Sequence, residues 1–192
     1  MFTTIGAYLL IGFFFVGIEN RLRQGQQAKS WRVGQYDQNS QAILTIALGL
    51  IFVVLLLAPV LNHLQVAPVR PAGLIGGLGL VIMMAGTGLR YWAAETLGEY
   101  YMRTLQIKTQ HTVVEVGPYH VIRHPGYLGV ILMFIGAGLA VVNWIAIVVI
   151  PVILLLAYHY RIRVEEKMLQ SALGEPYTDY MGRSWRLIPY VY

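Results

Sequence analysis

Two groups of residues able to bind a charged ligand stand at opposite ends of one long apolar stretch. The first is the heptapeptide Arg123-His124-Pro125-Gly126-Tyr127-Leu128-Gly129. The second contains Arg161, Arg163, Glu165 and Glu166. Between them, from residue 125 to residue 160, the chain has no Lys, Arg, Asp or Glu. If this stretch folds back on itself, the two groups meet at one face of a membrane, and we expect the chemistry there.

The heptapeptide has the features of an anion-binding helix start. Pro125 fits the first position of a helix, which places His124 at or near its N-cap. Free backbone N–H groups and a partial positive charge at that end attract an anion such as a carboxylate, and Arg123 adds further donors. Taken alone, the same residues are also typical of an ordinary helix start beside a positively charged membrane face.

The second group adds carboxylates where the apolar stretch ends. Arg161 and Glu165 are four residues apart and share one helix face, where a simple surface ion pair would contribute only about 0.2–0.5 kcal/mol. However, Glu165 and Glu166 would lie opposite the helix start if the hairpin forms. A carboxylate pair facing an anion-binding helix start suits a zwitterionic ligand, which the two groups together therefore predict.

Composition indicates an all-α integral membrane protein. The chain has 192 residues, of which 57% are hydrophobic and 12% are charged, whereas soluble domains average about 25% charged residues. The net charge of +5 comes from basic residues scattered around the apolar segments, which favours a role in topology over nucleic-acid binding. The absence of Cys excludes disulfides, thiolate metal sites and a cysteine nucleophile, and no metal-ligand pattern is present.

The apolar segments predict one membrane domain over residues 1–192 with five transmembrane helices, the first a retained span rather than a signal peptide. The spans are expected at about 2–18, 42–61, 72–89, 125–142 and 145–160. The stretch 125–160 would be about 54 Å long as a single helix, too long for a hydrocarbon core of about 30 Å. We therefore predict a helical hairpin that turns at Asn143-Trp144, followed by a C-terminal helical segment. Segments 100–127 and 161–190 would then form the polar site.

Glycines in the third predicted span suggest how it packs. Gly73 and Gly77 have the four-residue spacing that lets two membrane helices approach closely. The alternative is that glycine is simply common in membrane helices.

The distribution of basic residues predicts the orientation. With five spans, thirteen of the fourteen Lys and Arg residues fall on one side of the membrane, and Arg70 alone falls on the other. Since Lys and Arg concentrate in cytoplasmic loops, we expect the N-terminus outside and the C-terminus, with both polar groups, in the cytoplasm.

A family resemblance follows from these residues. The pattern Arg123-His124-Pro125-x-Tyr127-x-Gly129, followed by Glu165-Glu166-x-x-Leu169 and Gly174-Glu175-x-Tyr177-x-x-Tyr180, resembles the isoprenylcysteine carboxyl methyltransferase (ICMT) family. Related phospholipid methyltransferases share much of it. The similarity covers about residues 100–190. The first three spans resemble the family only in being apolar, without a matching motif.

The resemblance implies a membrane methyltransferase that uses S-adenosyl-L-methionine. It implies that Arg161 orients the substrate and that the glutamate pair helps to hold the cofactor, and we place Glu165 and Glu166 with Arg161 in the catalytic group. It assigns cofactor binding to His111, Thr112, Val113, Val114, Tyr119, His124, Pro125, Gly126, Tyr127 and Glu165, and we add Thr104, Gln106 and Arg123 as further cofactor-binding candidates. Thr104 is smaller than the family's polar residue at that position, and Gln106 could substitute for it. The substrate would be lipophilic and enter from the membrane, and no obligate protein partner is evident.

The acceptor of the methyl group stays open at this point. A carboxylate nucleophile needs no general base, and Arg161 could hold it bidentately. A phospholipid amine or a thiol would require a base, for which Glu166, Tyr127 or His120 are candidates.

Two other classes of function compete with this one. The first is an NADPH-dependent membrane reductase, which should supply several Arg or Lys residues for the cofactor phosphates. Segment 100–127 offers only Arg103, Lys108 and Arg123. The second is a scaffold or transporter, and the lack of ionisable residues within the spans argues against ion-coupled transport.

Overall fold

The computed structural model describes residues 1–18, 37–98 and 113–192, and its regular elements in these ranges are helices. Within them the chain forms no β-strand beyond two isolated bridges, Pro68 with Asn143 and Ile122 with Trp185. In chain order the helices are α1 (Phe2–Gly12, continued by a π-helical turn Phe13–Ile18), α2 (Ser40–His63), α3 (Ala72–Leu97), a 3-10 turn (Gly117–His120), α4 (Pro125–Ala140), α5 (Trp144–Leu173) and α6 (Glu175–Arg183).

Helix length and apolarity confirm a helical membrane protein. Helices α2, α3 and α5 are long and apolar enough to cross a membrane, while Phe2–Phe15 and Pro125–Ala140 are shorter apolar helices. With 16 residues, α4 is about 24 Å long, which is less than a hydrocarbon core of about 30 Å.

The predicted turn at Asn143-Trp144 is present. Helix α4 ends at Ala140 and α5 begins at Trp144. The side chain of Asn143 is fully buried, and its oxygen accepts a hydrogen bond from the Ile145 N–H at 3.0 Å. Its amide nitrogen donates to the Asn62 side chain at 2.8 Å and to the Val66 carbonyl at 2.9 Å. Asn143 therefore caps α5 and ties the turn to the end of α2.

Two helices extend well beyond the predicted spans. Helix α3 continues eight residues past the predicted end at 89, to Leu97. Helix α5 passes Arg161 without a break and ends at Leu173, so the predicted polar segment from 161 begins as part of the spanning helix. The helix stops at Gly174, whose φ of 65° lies in the left-handed region that glycine tolerates. A change from apolar to polar residues marks a membrane boundary, but it does not interrupt helical hydrogen bonding.

The core connects the first helix to the last spanning one. Its fully buried side chains include Ile51 of α2, Met83 of α3, Phe134 of α4 and Ile150 of α5, and Ala7 of α1 joins them. Packing of this kind, rather than the hydrophobic effect, holds helices together in lipid. It fixes the start of α4 relative to the second half of α5.

The close contact between helices uses glycines other than the predicted pair. A Cβ atom added at Gly73 or Gly77 would meet nothing within 4 Å, so the prediction for these two was wrong. Instead, Gly79 and Gly86 of α3 lie against α4, where a Cβ on either would come within 2.6 Å of the backbone of α4. The reciprocal positions are Gly136 and Gly129. The four-residue spacing fits a face of α3, but it does not say which face meets a partner.

Filling this contact should destabilise the protein. In Gly136→Ala the new methyl group would lie 2.5 Å from the Gly79 carbonyl oxygen and 2.6 Å from the Met83 nitrogen. Both are backbone atoms, so the helices must separate, and overpacking of this kind costs about 1–3 kcal/mol. We expect a lower midpoint of thermal unfolding in detergent. The matched control is Gly77→Ala, which has open space, and an equal midpoint for the two variants would contradict the packing.

Candidate functional site

The two polar groups predicted from the sequence lie against each other. Arg123 Nε is 2.8 Å from Glu166 Oε1. His124 Nε2 approaches the same oxygen at 3.4 Å, and His124 Nδ1 lies 3.7 Å from Glu165 Oε2. The start of α4 and the second half of α5 thus bring together residues about forty positions apart in the sequence.

Arg123 and Glu166 form a buried ion pair that organises the C-terminal part of the chain. Their side chains are 7% and 4% exposed. The guanidinium of Arg123 also donates to the Met181 carbonyl at 3.1 Å and to the carbonyl of Ser184. The second oxygen of Glu166 accepts from Arg186 Nε at 2.8 Å. Both carboxylate oxygens are therefore engaged by arginines, and the pair joins α4 and α5 to the segment after α6.

The backbone at the start of α4 is also engaged by that segment. The Arg123 N–H donates to the Trp185 carbonyl at 2.7 Å, and the His124 N–H donates to the Arg186 carbonyl at 3.1 Å. Pro125 has no N–H, and the Tyr127 N–H donates to the His124 carbonyl. The expected set of free N–H groups is thus largely used by the protein itself. Any ligand-binding capacity here rests mainly on side chains.

His124 and Glu165 each keep a buried polar atom without a hydrogen-bond partner in the described part of the chain. These atoms are His124 Nε2 and Glu165 Oε2, since the 3.4 Å and 3.7 Å approaches lack hydrogen-bond geometry. The His124 ring stacks on Tyr127 with centroids 5.4 Å apart and planes 6° from parallel. A buried polar atom left unsatisfied costs about 1–3 kcal/mol. Two of them side by side make this place the candidate site for a polar ligand.

Arg161 has a partner that sequence reasoning missed. Its Nη1 lies 2.6 Å from Asp37 Oδ1 and 2.6 Å from Ser40 Oγ, and its Nε lies 3.3 Å from the Tyr127 hydroxyl. Asp37 is completely buried just before α2. An acidic residue at the start of an apolar run is a helix-start signal. No sequence signal connects it to an arginine 124 positions away.

The remaining predicted site residues differ in burial, and some lie outside the described ranges. Val113 and Val114 are half-buried, Pro125 and Tyr119 are buried, and the Gly126 carbonyl accepts from Arg90 at 3.1 Å. Four further predicted residues lie outside the described ranges: Thr104, Gln106, His111 and Thr112.

Two tyrosines of α6 complete this region. The Tyr180 hydroxyl donates to the Tyr119 carbonyl at 2.6 Å. Burial raises the pKa of Tyr180 to about 12, so the hydroxyl keeps its proton. Burial, together with the nearby carboxylates of Glu165 and Glu166, likewise raises the pKa of Tyr177. Both hydroxyls therefore stay neutral at physiological pH.

Fold and site together define a class of protein. It is a helical membrane protein in which a buried ion pair lies where α4 begins and α5 leaves its apolar part. Beside the pair, His124 and Glu165 each keep one buried polar atom without a hydrogen-bond partner in the described residues. Comparison with known proteins then narrows the class. The model of the isoprenylcysteine carboxyl methyltransferase (ICMT) family matches residues 78–171, which confirms the resemblance given by the sequence motifs.

Individual relatives agree with the family match. The chain is 28% identical over 116 residues to a probable protein-S-isoprenylcysteine O-methyltransferase of Oryza sativa subsp. indica, covering 59% of this chain and 61% of the relative. It is 31% identical over 116 residues to the protein-S-isoprenylcysteine O-methyltransferase of Saccharomyces cerevisiae, covering 59% of this chain and 48% of the relative. The matched part thus spans about half to six-tenths of these relatives.

A solved structure supports the fold. The structure of a eukaryotic intramembrane Ras methyltransferase ICMT superimposes with a TM-score of 0.70 and 21% sequence identity. The match covers 97% of this chain and 66% of that chain. The first three helices, which resembled the family only in character, therefore belong to the same fold.

Breaking the buried ion pair should cost much of the stability. Glu166→Gln leaves Arg123 buried without its counter-charge, and removing one partner of such a pair costs about 3–5 kcal/mol. We expect a drop of several degrees in the thermal midpoint in detergent. The control is Glu95→Gln, which changes an exposed glutamate of α3. If the two variants unfold at the same temperature, the pair does not organise this region.

Proposed function

We propose that the protein is a membrane-embedded methyltransferase that uses S-adenosyl-L-methionine and acts on a lipophilic substrate. Its reaction would be most like that of protein-S-isoprenylcysteine O-methyltransferase, the carboxyl methylation of a prenylcysteine-like acceptor. The observation that carries the proposal is the pair of unpartnered atoms, His124 Nε2 and Glu165 Oε2. They lie within the region matched to the methyltransferase family.

The donor set fits this cofactor. S-adenosyl-L-methionine, when bound, supplies a methyl group activated by a positively charged sulfur. Glu165 can accept hydrogen bonds from amine or hydroxyl groups, and a histidine nitrogen can donate or accept. The remaining residues assigned by resemblance, including His111 and Thr112, would complete the cofactor site. The contacts of Arg123 favour a supporting role for it, because it binds Glu166 and the carbonyls near α6.

The same contacts favour a carboxylate acceptor over an amine or a thiol. A carboxylate nucleophile needs alignment but no general base. Of the candidate bases, Glu166 has both oxygens engaged by arginines. Tyr127 has its hydroxyl beside Arg161 and is stacked on His124, and His120 is exposed. Arg161 would hold the acceptor carboxylate next to these residues.

We further propose that α1, together with its π-helical turn, and helices α2 to α5 form five spans of one membrane domain. The five apolar helices support this number. The thirteen basic residues on one side support a cytoplasmic C-terminus and site, with the N-terminus outside. A lipophilic acceptor would reach the site laterally from the inner leaflet.

The chemistry of the product tests the proposal. Membranes containing the protein should transfer labelled methyl from S-adenosyl-L-methionine to a farnesylated cysteine with a free carboxyl group. The label should be released as methanol by alkali, because a methyl ester hydrolyses in base whereas an N-methyl or S-methyl group does not. The control acceptor is the same compound with its carboxyl converted to an amide, which should take up no label.

Two other results would contradict carboxyl methylation. Alkali-stable label in phospholipid would instead assign an amine acceptor. No methyl transfer, combined with binding of NADPH, would replace the methyltransferase by a reductase.

A further inference from the structure

We propose that Asp37 is a positioning residue that sets the orientation of Arg161 toward the acceptor. This inference rests on the proposed function, since it concerns how the methyl acceptor is held. Asp37 lies just before α2 and outside the region matched to the family model. It would bring a second part of the chain into the site.

The Asp37 carboxylate is held rigidly at the start of α2. Its Oδ2 accepts from the Gln41 N–H at 3.0 Å, and its Oδ1 accepts from Ser40 Oγ at 2.9 Å. The Asp37 carbonyl also accepts from the Ser40 N–H at 2.8 Å. The carboxylate is thus fixed to the first turn of a helix, and its charge cannot follow a moving partner.

Arg161 meets this fixed charge on one side and the site on the other. Its Nη1 donates to Asp37 and Ser40, while its Nε lies 3.3 Å from the Tyr127 hydroxyl. Tyr127 stacks on His124, one of the two residues with an unpartnered polar atom. The Arg161 guanidinium is therefore held by Asp37 and Ser40 at one nitrogen and by Tyr127 at another. The position of the guanidinium relative to His124 thus depends on Asp37.

A hydrogen bond ties the backbone beside Asp37 to α5, the helix that carries Arg161. The hydroxyl of Tyr160, the residue before Arg161, donates to the Gln38 carbonyl at 2.9 Å. Asp37 itself is 0% exposed and Arg161 is 3% exposed. A fully buried charge pair leaves little freedom for the arginine to choose another orientation.

A set of three variants tests this role: Asp37→Asn, Arg161→Gln and the double variant. Asp37→Asn keeps the shape of the side chain but removes its charge. For the carboxylate acceptor we expect kcat/KM to fall at least tenfold in each single variant. The affinity for S-adenosylhomocysteine, measured by calorimetry, should stay within twofold. The matched control is Asp179→Asn, an exposed residue of α6, which should keep wild-type turnover.

The double variant separates positioning from folding. In Arg161→Gln the Asp37 carboxylate is buried without its counter-charge, so the thermal midpoint of this variant should fall, and the uncharged double variant should regain the wild-type midpoint. The kcat/KM of the double variant should equal that of the single variant with the lower kcat/KM, because Asp37 acts through Arg161. Recovery of turnover together with the midpoint, or losses that multiply, would show a role other than positioning.

The failure of this inference can be told from failure of the proposed function. Wild-type turnover in Asp37→Asn, with active wild-type protein, would overturn the role of Asp37 alone. A wild-type protein that neither binds S-adenosylhomocysteine nor transfers methyl would overturn the proposed function and this role with it.

Discussion

The ion pair between Arg123 and Glu166 is the constraint on which the site depends. It joins the segment before α4 to the part of α5 beyond its apolar stretch, and Arg123 also binds carbonyls of α6 and of the segment after it. Two charges are buried here, and such a pair persists only when its remaining donors and acceptors are also satisfied. Arg186 and the carbonyls supply those bonds. The pair therefore fixes where the neighbouring side chains must lie.

Within each of two pairs of adjacent residues, Glu165-Glu166 and Arg123-His124, the two side chains have different partners. On a helix of 3.6 residues per turn, successive side chains point about 100° apart. Glu166 consequently faces Arg123 and the C-terminal segment, while Glu165 faces Tyr127, and the His124 ring lies between the two carboxylates. The neighbours Arg123 and His124 divide in the same way, one binding protein groups and the other retaining an unpartnered nitrogen. Each doublet thus supplies one residue that holds the structure and one that can hold a ligand.

Much of this arrangement could be predicted from the sequence, because apolar length and helix-start chemistry are local properties. The turn at Asn143 follows from the excess length of the stretch 125–160, and the meeting of the two polar groups follows from that turn. The glycine contact was assigned to the wrong residues, since spacing does not identify the face that meets a partner. Asp37 was missed for a related reason: its pairing with Arg161 depends on how α2 packs against α5, which no local pattern encodes. The expected free N–H groups were overestimated because the segment after α6 accepts from Arg123 and His124, and the His124 carbonyl accepts from Tyr127.

We propose that His124 and Glu165 hold the cofactor, and calorimetric measurement of the affinity for S-adenosylhomocysteine tests this role. Loss of a hydrogen bond to a charged group costs about 1.5–3 kcal/mol, which corresponds to roughly a tenfold or greater loss of affinity. We expect such a loss for Glu165→Gln and for His124→Ala, with wild-type affinity in the exposed control Lys167→Gln. Unchanged affinity in both site variants would contradict it.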